Sequence, residues 1–304
     1  MTTAAASAQR LRERIARCAP ELAAGSIRLV EQGWDSRVAL VDEAWVFRFP
    51  RNAESAAQLA VEQALLPYLA PRLPLPIPDF TYACPAREVG EGPFVGYRMI
   101  AGVPLDPPLL QAASAAVRRA VARQMGLFLQ ALHSVPPATA RQVAPGLRRF
   151  DPTSFVPEYA EIERVVFPLL RPSQRERICR LYAFAADAAV WDFAPALVHN
   201  DLMPVHMLFD PRAQRVAGVI DFGDVVLGDP AIDFVGLLEH GAAFLAAALG
   251  CYSRPLDAAF RRRLVFYRIR TRLIDLRYHL EHGNSERVAV ILPELRTLLV
   301  ARSQ

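Results

Sequence analysis

The period of the apolar positions changes along this chain. Over residues 7–23 they recur at helical spacing (Leu11, Ile15, Cys18, Leu22) and Gly25 follows as a stop, which predicts a first helix. The pattern then turns strand-like. Segments 27–30, 37–41 and 45–50, separated by turns at 32–35 and 42–43, predict an antiparallel meander. Gly33 in the first turn fits a phosphate-covering hairpin or a plain turn equally. A helix is predicted over 55–68, with Leu59, Leu65 and Leu66 on one face, then an extended run fixed by Pro71, Pro74, Pro76 and Pro78, then strands at 80–82 and 94–100. Residues 101–105 break this pattern and are the expected hinge. Beyond them helices are predicted over 109–134, 158–170, 173–193, 234–249, 256–282 and 285–301. The expected class is α+β with two lobes: an antiparallel β-sheet lobe over 1–101 and a mainly helical lobe over 102–304.

One stretch interrupts the helical half. Between the short apolar runs at 196–198 and 207–209 lies a loop carrying His199, Asp201 and His206, and the apolar strand that follows ends on Asp221, 20 positions after Asp201. A carboxylate in the loop after one strand and a second at the tip of the next is the arrangement that phosphoryl transfer requires, one orienting the attacking hydroxyl and the other holding magnesium. Arg48 is the other polar intruder. It lies in the most apolar strand, with Phe47 and Phe49 on the opposite face; it is either an outward-facing strand cation or an inward guanidinium, which needs an anionic partner. Glu62, on the following helix, is placed to supply it. Asp229 precedes Pro230 as a helix N-cap would, and with Asp233 is expected to be structural.

Composition narrows the classes. The 304 residues are 53% hydrophobic and 22% charged, enough to bury a large core and too apolar for disorder. The net charge of +4 comes from 35 basic against 31 acidic residues spread along the chain, so no nucleic-acid stripe is expected; the arginines of 261–277 are read as the solvated face of a helix. The sequence contains no lysine, so a cation needed for chemistry is expected to be a guanidinium. Cys18, Cys84, Cys179 and Cys251 are widely spaced and are expected to be free thiols in a reducing compartment. The longest apolar run, 241–252, is too short to span a bilayer, and no signal peptide is recognised; the expectation is a cytoplasmic protein without membrane contact, a monomer or weak dimer.

The segments His199-Asn200-Asp201-Leu202-Met203-Pro204-Val205-His206 and Val219-Ile220-Asp221-Phe222-Gly223-Asp224, with Gly228-Asp229-Pro230-Ala231-Ile232-Asp233-Phe234, resemble the catalytic and magnesium loops of the aminoglycoside phosphotransferase family. Trp45-Val46-Phe47-Arg48-Phe49-Pro50-Arg51 is similar to that family's cation-bearing strand, although many members carry Lys at the position of Arg48. His206 stands where the usual loop has Asn, as in the aminoglycoside 2″-phosphotransferase and macrolide phosphotransferase branches. The resemblance covers nearly the whole chain and implies a protein-kinase-like fold. It implies transfer of the γ-phosphate of ATP or GTP, with Mg²⁺, to a hydroxyl of a small molecule. Asp201 would be the catalytic carboxylate, His206 and Asp221 the metal shell, and Arg48 with Glu62 the phosphate clamp. Backbone near Arg98 and Ile100 would bind the base. For the acceptor, Glu239 and Asp275 would begin an acidic cleft for an aminoglycoside, with Tyr278 as a stacking face, although neighbouring arginines weaken the acidic signal. A macrolide, or a metabolite such as an amino alcohol or sugar, is the alternative acceptor. A nucleotide-binding scaffold and a zinc site built on His199, Asp201 and His206 are the readings from other classes.

Overall fold

The computed structural model describes residues 3–30, 35–86 and 91–300, with side chains from residue 9 onward. Helix α1 (Thr3–Cys18) lies against a five-stranded antiparallel sheet built from β1 (Ile27–Val30), β2 (Ser36–Val41), β3 (Trp45–Pro50), β4 (Tyr82–Cys84) and β5 (Phe94–Arg98). The sheet order is β1-β2-β3-β5-β4. Between β3 and β4, α2 (Ala53–Leu69) crosses one face, started by an Asn52 and Ser55 capping box that satisfies its first free N–H groups. The meander is where the apolar pattern puts it; the Gly33 turn lies outside the described residues.

The helical part follows in order: α3 (Pro107–Ala112), α4 (Ala115–His133), α5 (Pro137–Val143), α6 (Phe155–Val165) and α7 (Pro172–Ala186), then α8 (Val235–Leu238), α9 (Ala242–Leu249), α10 (Phe260–Glu281) and α11 (Ser285–Val300). Small strands are set into it. β6 (Val103–Pro104), β8 (Met207–Asp210) and β9 (Arg215–Val219) form one antiparallel sheet, and β7 (Ala196–Val198) pairs with β10 (Val226–Gly228) in another. The expected hinge thus contains a strand, with Val103 opposite Phe209. One hydrophobic cluster joins α2 (Leu65, Leu66, Leu69) to the buried faces of α4, α9 and α10, and a smaller one ties α1 to the five-stranded sheet through Leu11, Ile15, Phe47, Phe49 and Phe94.

Several expectations are corrected by packing. The first helix stops at Cys18 because Pro20 opens a 3₁₀ turn, and Gly25 comes too late to be its cap. Segment 109–134 is two helices, since Ser114 caps the start of α4; 234–249 is broken at Gly241, which takes φ +98°. Cys18 and Cys84 are not free: they are disulfide-bonded with Cα atoms 6.1 Å apart, because α1 and β4 meet over the small cluster. Spacing along the chain carries no trace of that meeting. Cys179 and Cys251 are free. Nor is 261–277 a solvated basic face. Arg263 is fully buried between Asp229 and Asp257, Arg268 and Arg272 pair with Glu239, and Arg270 with Glu158. No helix among the described residues is long and apolar enough to cross a membrane.

Half-buried His240, at the end of α8, carries a pH consequence. Among the described residues neither ring nitrogen has a hydrogen-bond partner, and burial lowers its pKa from the usual 6.5 to about 4. The unfolded chain therefore binds the proton first, so stability is expected to fall as pH drops from 6.5 toward 4. The His240→Phe variant should show a flatter melting temperature between pH 7 and 5. An unchanged slope would remove His240 from the acid sensitivity.

Candidate active site

Strand β7 is buried at all three residues and delivers His199, Asn200 and Asp201 to its C-terminal end; β9 delivers Asp221 beside them. The two loops are tied by Ile220 N–H donating to His206 O at 3.0 Å. Both turn through left-handed backbone, at Asn200 (φ +69°) and Asp221 (φ +67°). Asn and Asp tolerate that region best among residues with a Cβ, at a cost of about 1 kcal/mol each.

What holds the first loop is Asp233, buried completely. Its Oδ2 accepts from the His199 N–H and its Oδ1 from the Asn200 N–H, both at 2.8 Å. The His199 ring bonds the Ile220 carbonyl at 3.0 Å, and burial lowers its pKa to about 4, so it is a neutral brace. That use of the ring removes the zinc reading. Asp229 accepts from Ala231 N–H, the expected N-cap, and also receives Arg263.

Asp201 and Asp221 face each other across His206. The His206 Nδ1–H donates to the Asp201 carbonyl at 2.7 Å and lies 3.3 Å from the Asp201 carboxylate, while Nε2 is 3.5 Å from Asp221 Oδ2. The carboxylates of both are open, with 41% and 46% of the side chain exposed. Burial in the cleft, reinforced by Asp224, Asp221 and Asp233 against His206, pushes Asp201 up to about 7. Burial acts the same way on Asp221, but Arg48 and the histidines outweigh it and hold that carboxyl below the usual range. Two acids of one type are thus driven apart.

Arg48 connects the sheet to this pair. It is buried, bonds Glu62 at 2.7 Å through Nη1 and reaches Asp221 Oδ1 at 3.2 Å through Nη2. Burial raises the Glu62 pKa and Arg48 offsets only part of that; among the described residues Glu62 Oε1 has no hydrogen-bond partner. The sheet-to-helix ion pair expected from the sequence is therefore present, and it ends on the second carboxylate.

A divalent cation fits this geometry in a limited way. With Nδ1 donating, the His206 Nε2 lone pair and an Asp221 oxygen are two Lewis bases facing one another, which a cation beside them would reconcile. Among the described residues no three His, Cys, Asp or Glu side chains converge on one point. Such a donor set suits Mg²⁺, which takes one or two protein ligands and completes its shell with phosphate oxygens and water.

The remaining sequence candidates are less gathered. Arg98 is exposed at the end of β5, its guanidinium 4.8 Å above the Trp45 ring, and Ile100 lies beyond the strand against Gly218. Glu239 ends α8, held by Arg268 at 3.1 Å and Arg272 at 3.4 Å. Asp275 lies 4.0 Å from Arg287 and 3.3 Å from the His279 ring, and Tyr278 stacks on His282 with ring centroids 4.0 Å apart. The acids expected to make an acidic cleft each have a cationic partner.

Sequence reasoning missed Arg148, which approaches both Glu54 on α2 (3.1 Å) and Asp224 (3.7 Å), and His133 beside Asp233. It also missed Gly236. A Cβ there would stand 2.0 Å from the Leu202 carbonyl, so only glycine lets α8 touch the loop that carries Asp201. Gly236→Ala is expected to push that loop aside and lower turnover about 10- to 100-fold, since an ångström of misplacement can cost that much. Wild-type turnover in this variant would show that the loop can give without consequence.

The chain matches the model of the phosphotransferase enzyme family over residues 26–266. It is 29% identical to viomycin phosphotransferase of Streptomyces vinaceus over 167 residues, 54% of this chain and about half (55%) of that protein. Among solved structures, the GDP complex of wild-type aminoglycoside 2′-phosphotransferase-IIIa superposes with a TM-score of 0.82 at 25% identity, covering 96% of this chain and 98% of that one. A macrolide 2′-phosphotransferase type I gives 0.68 at 26% identity, covering 100% and 99%.

Proposed function

The chain belongs to the phosphotransferase enzyme family, and from that premise we propose that it transfers the γ-phosphate of a nucleoside triphosphate to a hydroxyl of a small antibiotic-type molecule. The observation that carries this is the opposed pair Asp201 and Asp221, bridged by His206 and pinned to the sheet by Arg48 and Glu62. The substrate hydroxyl oxygen bonds to the γ-phosphorus, the bond from phosphorus to the β,γ-bridging oxygen breaks, and the nucleoside diphosphate leaves. Asp201 takes the hydroxyl proton as the new bond forms. Arg48 offsets the charge of the phosphates, with Glu62 fixing its fork. Mg²⁺, when bound with the nucleotide at Asp221 and His206, supplies charge neutralisation of the phosphates. The base of ATP or GTP would lie between residues 1–101 and 102–304, against backbone near Arg98 and Ile100. Use of a nucleoside triphosphate supports a cytoplasmic location.

The acceptor reading starts from an aminoglycoside, as the solved relative's name suggests. A polycation needs free carboxylates, and Glu239 is spent on Arg268 and Arg272. That charge matching supports a second reading, a less cationic acceptor such as a macrolide. The test is coupled nucleotide turnover with ATP and GTP against aminoglycosides, macrolides, viomycin and small amino alcohols. Turnover that requires one acceptor and disappears on chelating Mg²⁺ is expected. Tight nucleotide binding with no turnover on any acceptor would replace the proposal with a binding scaffold.

A further inference from the structure

Behind the catalytic loop runs a buried polar chain that the reaction as written does not use. The Tyr252 hydroxyl lies 2.8 Å from His133 Nδ1, and His133 Nε2 lies 2.9 Å from Asp233 Oδ2, the oxygen that also accepts from the His199 N–H. Asp233 Oδ1 accepts from the Asn200 N–H, and Asn200 is the left-handed residue immediately before Asp201. His133 and Asp233 are both fully buried, and Tyr252 is nearly so. His133 ends α4, and Tyr252 follows α9, which packs closely on α4 through Gly126.

The partners fix the roles. A carboxylate can only accept, so His133 donates from Nε2–H, and its Nδ1 is hydrogen-bonded to the Tyr252 hydroxyl, which burial keeps protonated by raising its pKa. Asp233 receives three donors shared over its two oxygens. The orientation of its carboxylate plane is what allows one oxygen for each loop amide.

We propose that His133 is a positioning residue for phosphoryl transfer: with Tyr252 it sets the tilt of Asp233, and through the His199 and Asn200 amides it holds Asp201 at the attacking hydroxyl. This rests on the phosphotransfer reading. The relay replaces no catalytic group; it acts through loop geometry. Without the Nε2–H donor, Asp233 can rotate toward its remaining partners, and the Asn200 turn can relax out of its left-handed conformation and carry Asp201 with it.

The test compares the full-length His133→Phe, His133→Gln and Tyr252→Phe variants. His133→Phe is expected to lower kcat about 100-fold with little change in the nucleotide KM, because the misplaced group acts only in the chemical step. The Asn200 amide should exchange with solvent faster, while amides within α4 keep their protection. His133→Gln, whose amide can still donate to Asp233, should recover most of kcat and of the Asn200 protection; Tyr252→Phe should lie between wild type and His133→Phe. If His133→Phe does not fold, the order of the other two decides. Wild-type kcat and Asn200 exchange in folded His133→Phe would overturn the proposal, as would a Gln variant no better than Tyr252→Phe. The exchange readout needs no acceptor, so it still decides the question if no phosphotransfer is found.

Discussion

Asp201→Ala is expected to reduce phosphoryl transfer by about 100- to 10,000-fold while leaving the melting temperature unchanged or slightly raised. Both halves follow from the same environment. The carboxylate is open to the cleft, makes its side-chain contact with His206 at 3.3 Å, and stands among Asp221, Asp224 and Asp233, whose charges oppose its own. Truncating it removes the proposed proton acceptor and relieves like-charge repulsion. Asp233→Ala should behave differently, losing activity and stability together, because that carboxylate is buried and two backbone amides depend on it. Kinetics and thermal melts on the same preparations separate the cases. Full activity in Asp201→Ala with a good acceptor would remove this loop from the chemistry.

The largest stability effect is expected at Arg263. Its guanidinium bonds Asp229 at 2.6 and 3.1 Å, Asp257 at 2.7 Å through two nitrogens, and the Val190 carbonyl at 2.9 Å. Asp229 is 1% exposed, and burial keeps its pKa raised even with Arg263 present. Arg263→Met leaves that acid buried without its cation, at a cost of about 3–5 kcal/mol. Asp229→Asn in the same chain removes the orphaned charge and should return a large part of the loss. The double-mutant cycle, read by urea unfolding, should show a coupling well above zero. Additive losses would mean the two residues are stabilised independently.

Some of this was readable in advance because it is local. The strands near 27–30 and 45–50 come from short runs of β-branched and aromatic residues bounded by turns, and α2 from the periodicity of Leu59, Leu65 and Leu66. Arg48 announced itself as a charge in an apolar strand, and Asp201 and Asp221 as polar ends on buried strands. Other features depend on elements distant in sequence. The Cys18–Cys84 bond joins positions 66 apart, His133 meets Asp233 across 100 positions, and Glu239 finds Arg268 across 29. Helix 261–277 looked solvated because its acidic partners lie on α6, α8 and the turn at Asp257, and no window along the chain contains them all.

By itself the sequence determined the order and type of the main elements and the places of Asp201, Asp221 and Arg48 along them, since each is set by neighbours a few residues away. Tertiary structure alone decided which charges are free to act. Asp201 and Asp221 keep open carboxylates, whereas Asp229, Asp233, Glu239 and Arg263 are consumed by partners that folding brings to them. The physical reason is that burial makes an unpaired charge costly, so these enclosed charges are paired or hydrogen-bonded, while those at the cleft stay open.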